Sequence, residues 1–138
     1  MPRLYKVDLA KRPSLLEELR AEVMREPEVV FAYGYGSFLE SEAFHDVDVG
    51  VCLVTDEPEK ATVKALALAQ RLTARVGFPV DVRILNQAPA PFVFHVLRGR
   101  LIFSRDDDRL AEVIEATVRR YLDIAPLLRQ SAKEAFGA

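Results

Sequence analysis

The sequence has one cysteine, Cys52, two histidines and no tryptophan. A single cysteine excludes an internal disulfide, so the chain must be held by a core rather than by covalent staples. His45 and His95 lie too far apart to form a zinc signature. No apolar run approaches the roughly 20 residues that span a bilayer. The opening MPRLYKVDLAKRP lacks the apolar centre of a secretory leader, and a cytoplasmic location is expected. A large charge of one sign is also missing. Nineteen basic and twenty-one acidic residues leave a net charge of −2, so nothing in the balance demands a nucleic-acid partner. There is no repeat, low-complexity tract or linker.

What is present is globular. Half of the residues are hydrophobic and 29% are charged, which is enough apolar material for a packed core and too much for wholesale disorder. One domain over residues 1–138 is expected. Pro13-Ser14-Leu15 opens a helical period of Leu15, Leu16, Leu19, Val23 and Met24, which Pro27 ends. Glu28 to Tyr35 reads as a strand and runs into the turn Gly34-Tyr35-Gly36-Ser37. Phe38 to His45 reads as a turn holding one helical turn. Asp46 to Val54 is a second strand. Glu59 to Val76 is a helix with Val63, Leu66, Ala67, Ala69 and Leu72 as its apolar side, stopped at Gly77.

Pro79 to Leu85 reads as a third strand, Asn86 to Pro91 as a loop, Phe92 to Arg98 as a short helix and Arg100 to Phe103 as a fourth strand. A last helix starts at Asp106-Asp107-Asp108, where carboxylates suit the positive end of the helix dipole. Leu110, Val113, Ile114, Thr117, Val118 and Tyr121 continue it. Pro126 is expected to bend or interrupt it before Leu127 to Phe136. This order predicts an α+β, mixed α/β domain with a small mixed sheet of about four strands covered by helices.

The second strand carries the chemistry. Strand side chains alternate, so Val47, Val49, Val51 and Leu53 share one face and Asp46, Asp48 and Gly50 the other. The apolar face fixes the register. Two carboxylates about 5 Å apart on a strand repel by roughly 3 kcal/mol at an effective dielectric of about 20. A divalent cation reverses that sign, and hard cations prefer oxygen ligands. On the third strand Asp81 and Arg83 share a face. If the two strands are neighbours, Asp81 joins Asp46 and Asp48, and the three can hold one or two Mg²⁺ ions. The Gly36-Ser37 turn, through its backbone N–H groups and hydroxyl, can cradle a phosphate. Cys52 is expected in the core, His45 in an exposed loop, and His95 as a structural or interface residue. Tyr33 and Tyr35 read as strand packing. Arg83 is expected to pair with Asp81 or to touch phosphate.

These motifs resemble the minimal nucleotidyltransferase family of the DNA polymerase β-like superfamily. The matching stretches are GSFLESEAFHDVDVGV and VDVRIL. NQAPAPFVFHVLRGRLIFSRDDDRL is similar to the family's downstream helix and strand, and RRYLDIAPL to its terminal helix, so the resemblance covers nearly the whole chain. It implies the nucleotidyltransferase fold, with Gly36 and Ser37 binding the triphosphate of ATP or another NTP. Asp46, Asp48 and Asp81 would hold Mg²⁺, and Asp81 would also help deprotonate the acceptor. The family includes antitoxins that adenylylate a HEPN-type toxin with ATP, which implies transfer of AMP to a hydroxyl of a HEPN-type helical partner. Two alternatives remain open: an antitoxin acting by contact with weak or lost catalysis, and a small-molecule (antibiotic) nucleotidyltransferase. No basic groove suggests a polymerase. Homo- or hetero-oligomers are both open. The spacer Phe38 to His45 is shorter than the family's usual one, lacks its common glycine and ends in His45 where serine is frequent.

Overall fold

The computed structural model describes residues 3–135. A short strand β1 (Tyr5–Lys6) and a 3-10 turn (Leu9–Lys11) lead into helix α1 (Arg12–Met24). Then follow β2 (Val29–Tyr35), the one-turn helix α2 (Ser37–Glu40), β3 (Ala43–Phe44) and β4 (Val47–Leu53). The chain continues through α3 (Pro58–Val76), β5 (Val80–Ile84), α4 (Ala90–Leu97), β6 (Arg100–Ser104) and α5 (Asp107–Ala135). Four strands form one mixed sheet in the order β5-β4-β2-β6. β2 runs antiparallel to β4 and β6, and β5 runs parallel to β4. This is the small mixed sheet that the element order predicts. β1 and β3 form a separate antiparallel ribbon that the pattern does not announce, because two-residue strands have no readable period.

Helices cover both faces. Val47, Val49, Val51 and Leu53 are buried with Leu15, Leu19 and Val23 of α1 and Leu68 and Leu72 of α3. On the other face Phe31, Tyr33, Tyr35 and Cys52 pack with Val93 and Val96 of α4 and Leu110 of α5. Burying one such aliphatic side chain is worth about 1.5–3 kcal/mol. A one-residue slip of β4 would expose the whole valine row and turn its aspartates inward. At the seam between α1 and α3, buried Glu22 meets Arg71 at 3.4 Å and Arg75 at 3.7 Å.

Three expectations need correction. In α3 the buried row is Ala61, Ala65, Leu68 and Leu72, while Val63 and Leu66 are 67% and 62% exposed. The helix has apolar residues on two sides, and the alanine side faces the sheet because small residues allow a closer approach. Pro126 does not interrupt α5, which continues to Ala135; Phe136 lies outside the described residues. Proline removes one N–H from the helix ladder, and the carbonyl it strands belongs to Leu122, which is exposed and within reach of water. Finally, β4 starts at Val47, so Asp46 sits just before the strand.

Gly50 sets how closely α4 approaches the sheet. A Cβ there would stand 2.7 Å from Val96 Cγ1 and 3.2 Å from Leu85 Cδ2. Gly50→Ala is therefore expected to destabilise the protein by about 1–3 kcal/mol, as overpacking does. Urea unfolding checks this; an unchanged midpoint would mean that α4 is not seated against Gly50.

Candidate active site

At the end of β2 the chain must turn beneath Asp48. Gly36 takes φ +87, a left-handed conformation that side chains rarely adopt. A Cβ at Gly36 would lie 2.5 Å from Asp48 Oδ2. Glycine thus permits both the turn and the contact. Ser37 begins α2 and is exposed.

The spacer after Ser37 is short but firmly anchored. Phe38 and Phe44 are buried in the core. Phe44 stacks on Tyr5 at 6.1 Å and meets Phe78 edge-on at 5.4 Å. Arg12, 4% exposed, ties the spacer to α1. Its Nε donates to the Phe38 carbonyl and its Nη2 donates to the Ser41 carbonyl at 2.9 Å and to the Val7 carbonyl at 3.3 Å. The guanidinium also lies 5.0 Å over the Phe44 ring. Burial pulls its pKa below the ordinary arginine value, while Glu42 and Asp8 act in the opposite direction. Sequence reasoning missed Arg12, since an arginine in Lys11-Arg12-Pro13 reads as a solvated helix start.

The acidic residues line up across the sheet beside the turn. In the parallel pair, Asp48 stands opposite Asp81. In the antiparallel pair, Asp48 stands opposite Tyr35. Asp81, Asp48 and Tyr35 therefore form a row across three strands, and exposed Asp46 flanks it. Arg83 pairs with Asp81, Nε to Oδ2 at 3.0 Å, one of its two expected roles. Asp48 is half-buried, and its pKa is pushed up to about 6. Burial is the main cause, followed by Asp81 and Asp46, with Arg83 and His95 acting against them. Tyr35 is pushed up to about 12, by burial first and then by Asp48, so its phenol stays neutral. Phe92 and His95 hold the Tyr35 ring edge-on at 5.9 and 5.7 Å. His95 is exposed and stands beside the site, a position that its apolar neighbours in sequence do not suggest. His45 is exposed, with Nδ1 3.0 Å from the Arg3 carbonyl oxygen.

The donor set suits a hard divalent cation in kind: every candidate ligand is a carboxylate oxygen. Asp48 also carries negative charge that its surroundings leave uncompensated. Among the described residues, no three acidic, histidine or cysteine side chains are gathered into a ready-made metal cage, and Arg83 engages Asp81.

The family model described as polymerase beta, nucleotidyltransferase matches residues 17–108. No curated protein matches the chain. Among solved structures, a chain from the complex of tri-AMPylated Shewanella oneidensis HEPN toxin with MNT antitoxin is similar. Its TM-score is 0.62 at 20% identity, over 91% of this chain and 98% of that one. A chain from the toxin-antitoxin MntA-HepT has a TM-score of 0.61 at 20% identity, over 91% and 99%. A chain from a toxin-antitoxin structure with AMP-PNP has a TM-score of 0.60 at 19% identity, over 96% and 100%. At such identities the likeness is one of fold.

A raised carboxylate pKa makes the folded state bind protons more tightly than the unfolded one. Stability from this source is complete below the ordinary aspartate value and is lost as pH rises through about 6. Metal-free Asp48→Asn is thus expected to melt above wild type at pH 7.5, with the gain disappearing near the ordinary aspartate value. Thermal melts in chelator across this range check it; a gain that persists unchanged in acid would remove the charge explanation.

Proposed function

The chain belongs to the polymerase beta nucleotidyltransferase family, and on that premise we propose that it moves AMP from ATP to a hydroxyl of a HEPN-type partner protein. The acceptor oxygen attacks the α-phosphorus, the bond from that phosphorus to the bridging oxygen breaks, and pyrophosphate leaves with the bonding electrons. Asp81 takes the acceptor proton. Asp46, Asp48 and Asp81 would hold Mg²⁺, which when bound offsets their charge and that of the phosphates. Gly36 lets the backbone approach the nucleotide, and the Ser37 hydroxyl donates to a phosphate oxygen. Held in this way, donor and acceptor react as neighbours rather than as free solutes.

The observation that carries this reading is the place of Asp48, touching the Gly36 turn on one side and in register with Asp81 on the other. The HEPN partner is supported by the similar structure of a HEPN toxin in complex with MNT antitoxin, and the nucleotide by the similar toxin-antitoxin structure with AMP-PNP. Exposed Ile114, Val118, Leu122, Leu127 and Leu128 along α5 give a helical partner apolar surface to cover. No helix among the described residues is long and apolar enough to cross a membrane, and a cytoplasmic place fits an ATP-using enzyme. Arg83 on Asp81 and the absence of an assembled cage among the described residues favour one second reading, neutralisation by contact alone.

With ATP labelled at the α-phosphate, Mg²⁺ and the co-expressed helical partner, wild type is expected to label that partner. Asp48→Asn should cut the rate by about a hundredfold or more, as loss of charge stabilisation does. No transfer by folded wild type counts against the enzyme. Full neutralisation of the partner by the Asp46→Asn, Asp48→Asn double variant would select the contact reading.

A further inference from the structure

A cleft of about 370 Å³ opens between α4, α5 and the loop from β5 to α4. It lies away from the carboxylate row. Cys52 is on its floor, further along β4 from Asp48 by about 13 Å at strand spacing. Between the two, Val96 of α4 and Leu85 crowd Gly50. The volume falls within the roughly 300–1,000 Å³ of sites that take a small molecule. Helical spacing sets the α5 residues of the cleft, Val113, Ala116, Thr117 and Arg120, on a different side from the exposed stripe of Ile114, Val118 and Leu122.

Charge is divided along the cleft. At one end stand Asp56, Arg109 and Glu112. Arg109 pairs with Glu112 at 3.5 Å, and Asp56 accepts from the Asn86 amide at 2.9 Å. Burial pushes the Cys52 thiol up, while Arg109 pulls it down and Asp56 raises it, so both charges stand near the floor. Two carboxylates against one guanidinium leave this end negative. At the other end are Thr117, only 6% exposed, and Arg120, which makes no ion pair among the described residues. From Glu112 to Arg120 the helix rises about 12 Å. Ala88, Ala90, Val93, Val113 and Ala116 make the stretch between apolar. Gln87 at the rim takes φ +61, a conformation that side chains rarely adopt. Asn86 holds that loop in place by bonding both the N–H and the carbonyl of Leu53 at 2.8 Å.

We propose that this cleft binds a short peptide with free termini, its ammonium between Asp56 and Glu112 and its carboxylate on Arg120 and Thr117. Three extended residues span about 10 Å, which matches the separation of the two ends. A guanidinium takes a carboxylate through two parallel hydrogen bonds. An anion alone is disfavoured at the Asp56 end and a cation alone at the Arg120 end, so the pattern selects a molecule that carries both charges. The inference stands apart from the transferase reading.

NMR and calorimetry on the full chain test it, with trialanine as the probe. Saturable binding is expected, with amide shifts centred on Cys52, Ala88, Val93 and Thr117. N-acetyl-trialanine and trialanine amide, each lacking one terminal charge, should bind about tenfold more weakly. Arg120 is exposed, so Arg120→Ala should fold normally, bind trialanine about tenfold more weakly and no longer distinguish the acid from the amide. Trialanine that does not saturate wild type overturns the proposal. An amide that binds wild type as well as the acid also overturns it, as does an Arg120→Ala variant that still prefers the acid. Shifts centred on Gly36 and Asp48 would place the peptide elsewhere and overturn it too.

Discussion

The in-register pairing of β4 with β5 sets Asp48 beside Asp81, and the rest of the site follows from that alignment. The pairing itself is fixed from the opposite face. Val47, Val49 and Val51 are fully buried against α1 and α3, and shifting them would lose several kcal/mol of burial. The core therefore holds two like charges together that would otherwise separate. Asp48 records the strain as a raised proton affinity. On the proposed reading, a cation that arrives with a nucleotide would offset that charge.

The second constraint is the turn that meets Asp48. Its glycine conformation is useful only if the following spacer is held still, since a loose loop would swing Gly36 away from the carboxylate. Phe38 and Phe44 sink into the core, and Arg12 gathers carbonyls from Val7, Phe38 and Ser41 around one buried guanidinium. The short spacer is thus anchored at both ends, by Phe38 and Phe44, and to α1 by Arg12. On the other wall, Gly50 admits α4 close to the sheet and so brings His95 against the Tyr35 ring. Two glycines, one at each wall, set the width of the space between.

Much of this was legible in the sequence because strand alternation is a strict rule. Val47 against Asp48 announced a buried and a polar face, and Asp81 between Val80 and Val82 announced a second strand of the same kind. Their neighbouring register needed the structure. Helical faces were harder to read. α3 is apolar on two sides, and the larger Val63 and Leu66 pointed to the wrong one, since packing selected Ala61 and Ala65. Arg12, the β1–β3 ribbon and the place of His95 depend on contacts between distant segments, which no local period encodes. Pro126 misled for a different reason. Its penalty is local, and an exposed turn of helix can absorb it in water.

Fold and neighbours hold Asp48 at a raised proton affinity, and on the proposed reading a divalent cation would relieve it. Carbon-detected NMR titration of the Asp48 carboxyl, with and without Mg²⁺ and a non-hydrolysable ATP analogue, measures this directly. A midpoint of about 6 is expected in metal-free protein, with a marked fall once the cation and nucleotide bind. An ordinary aspartate midpoint that does not move on adding either would contradict it.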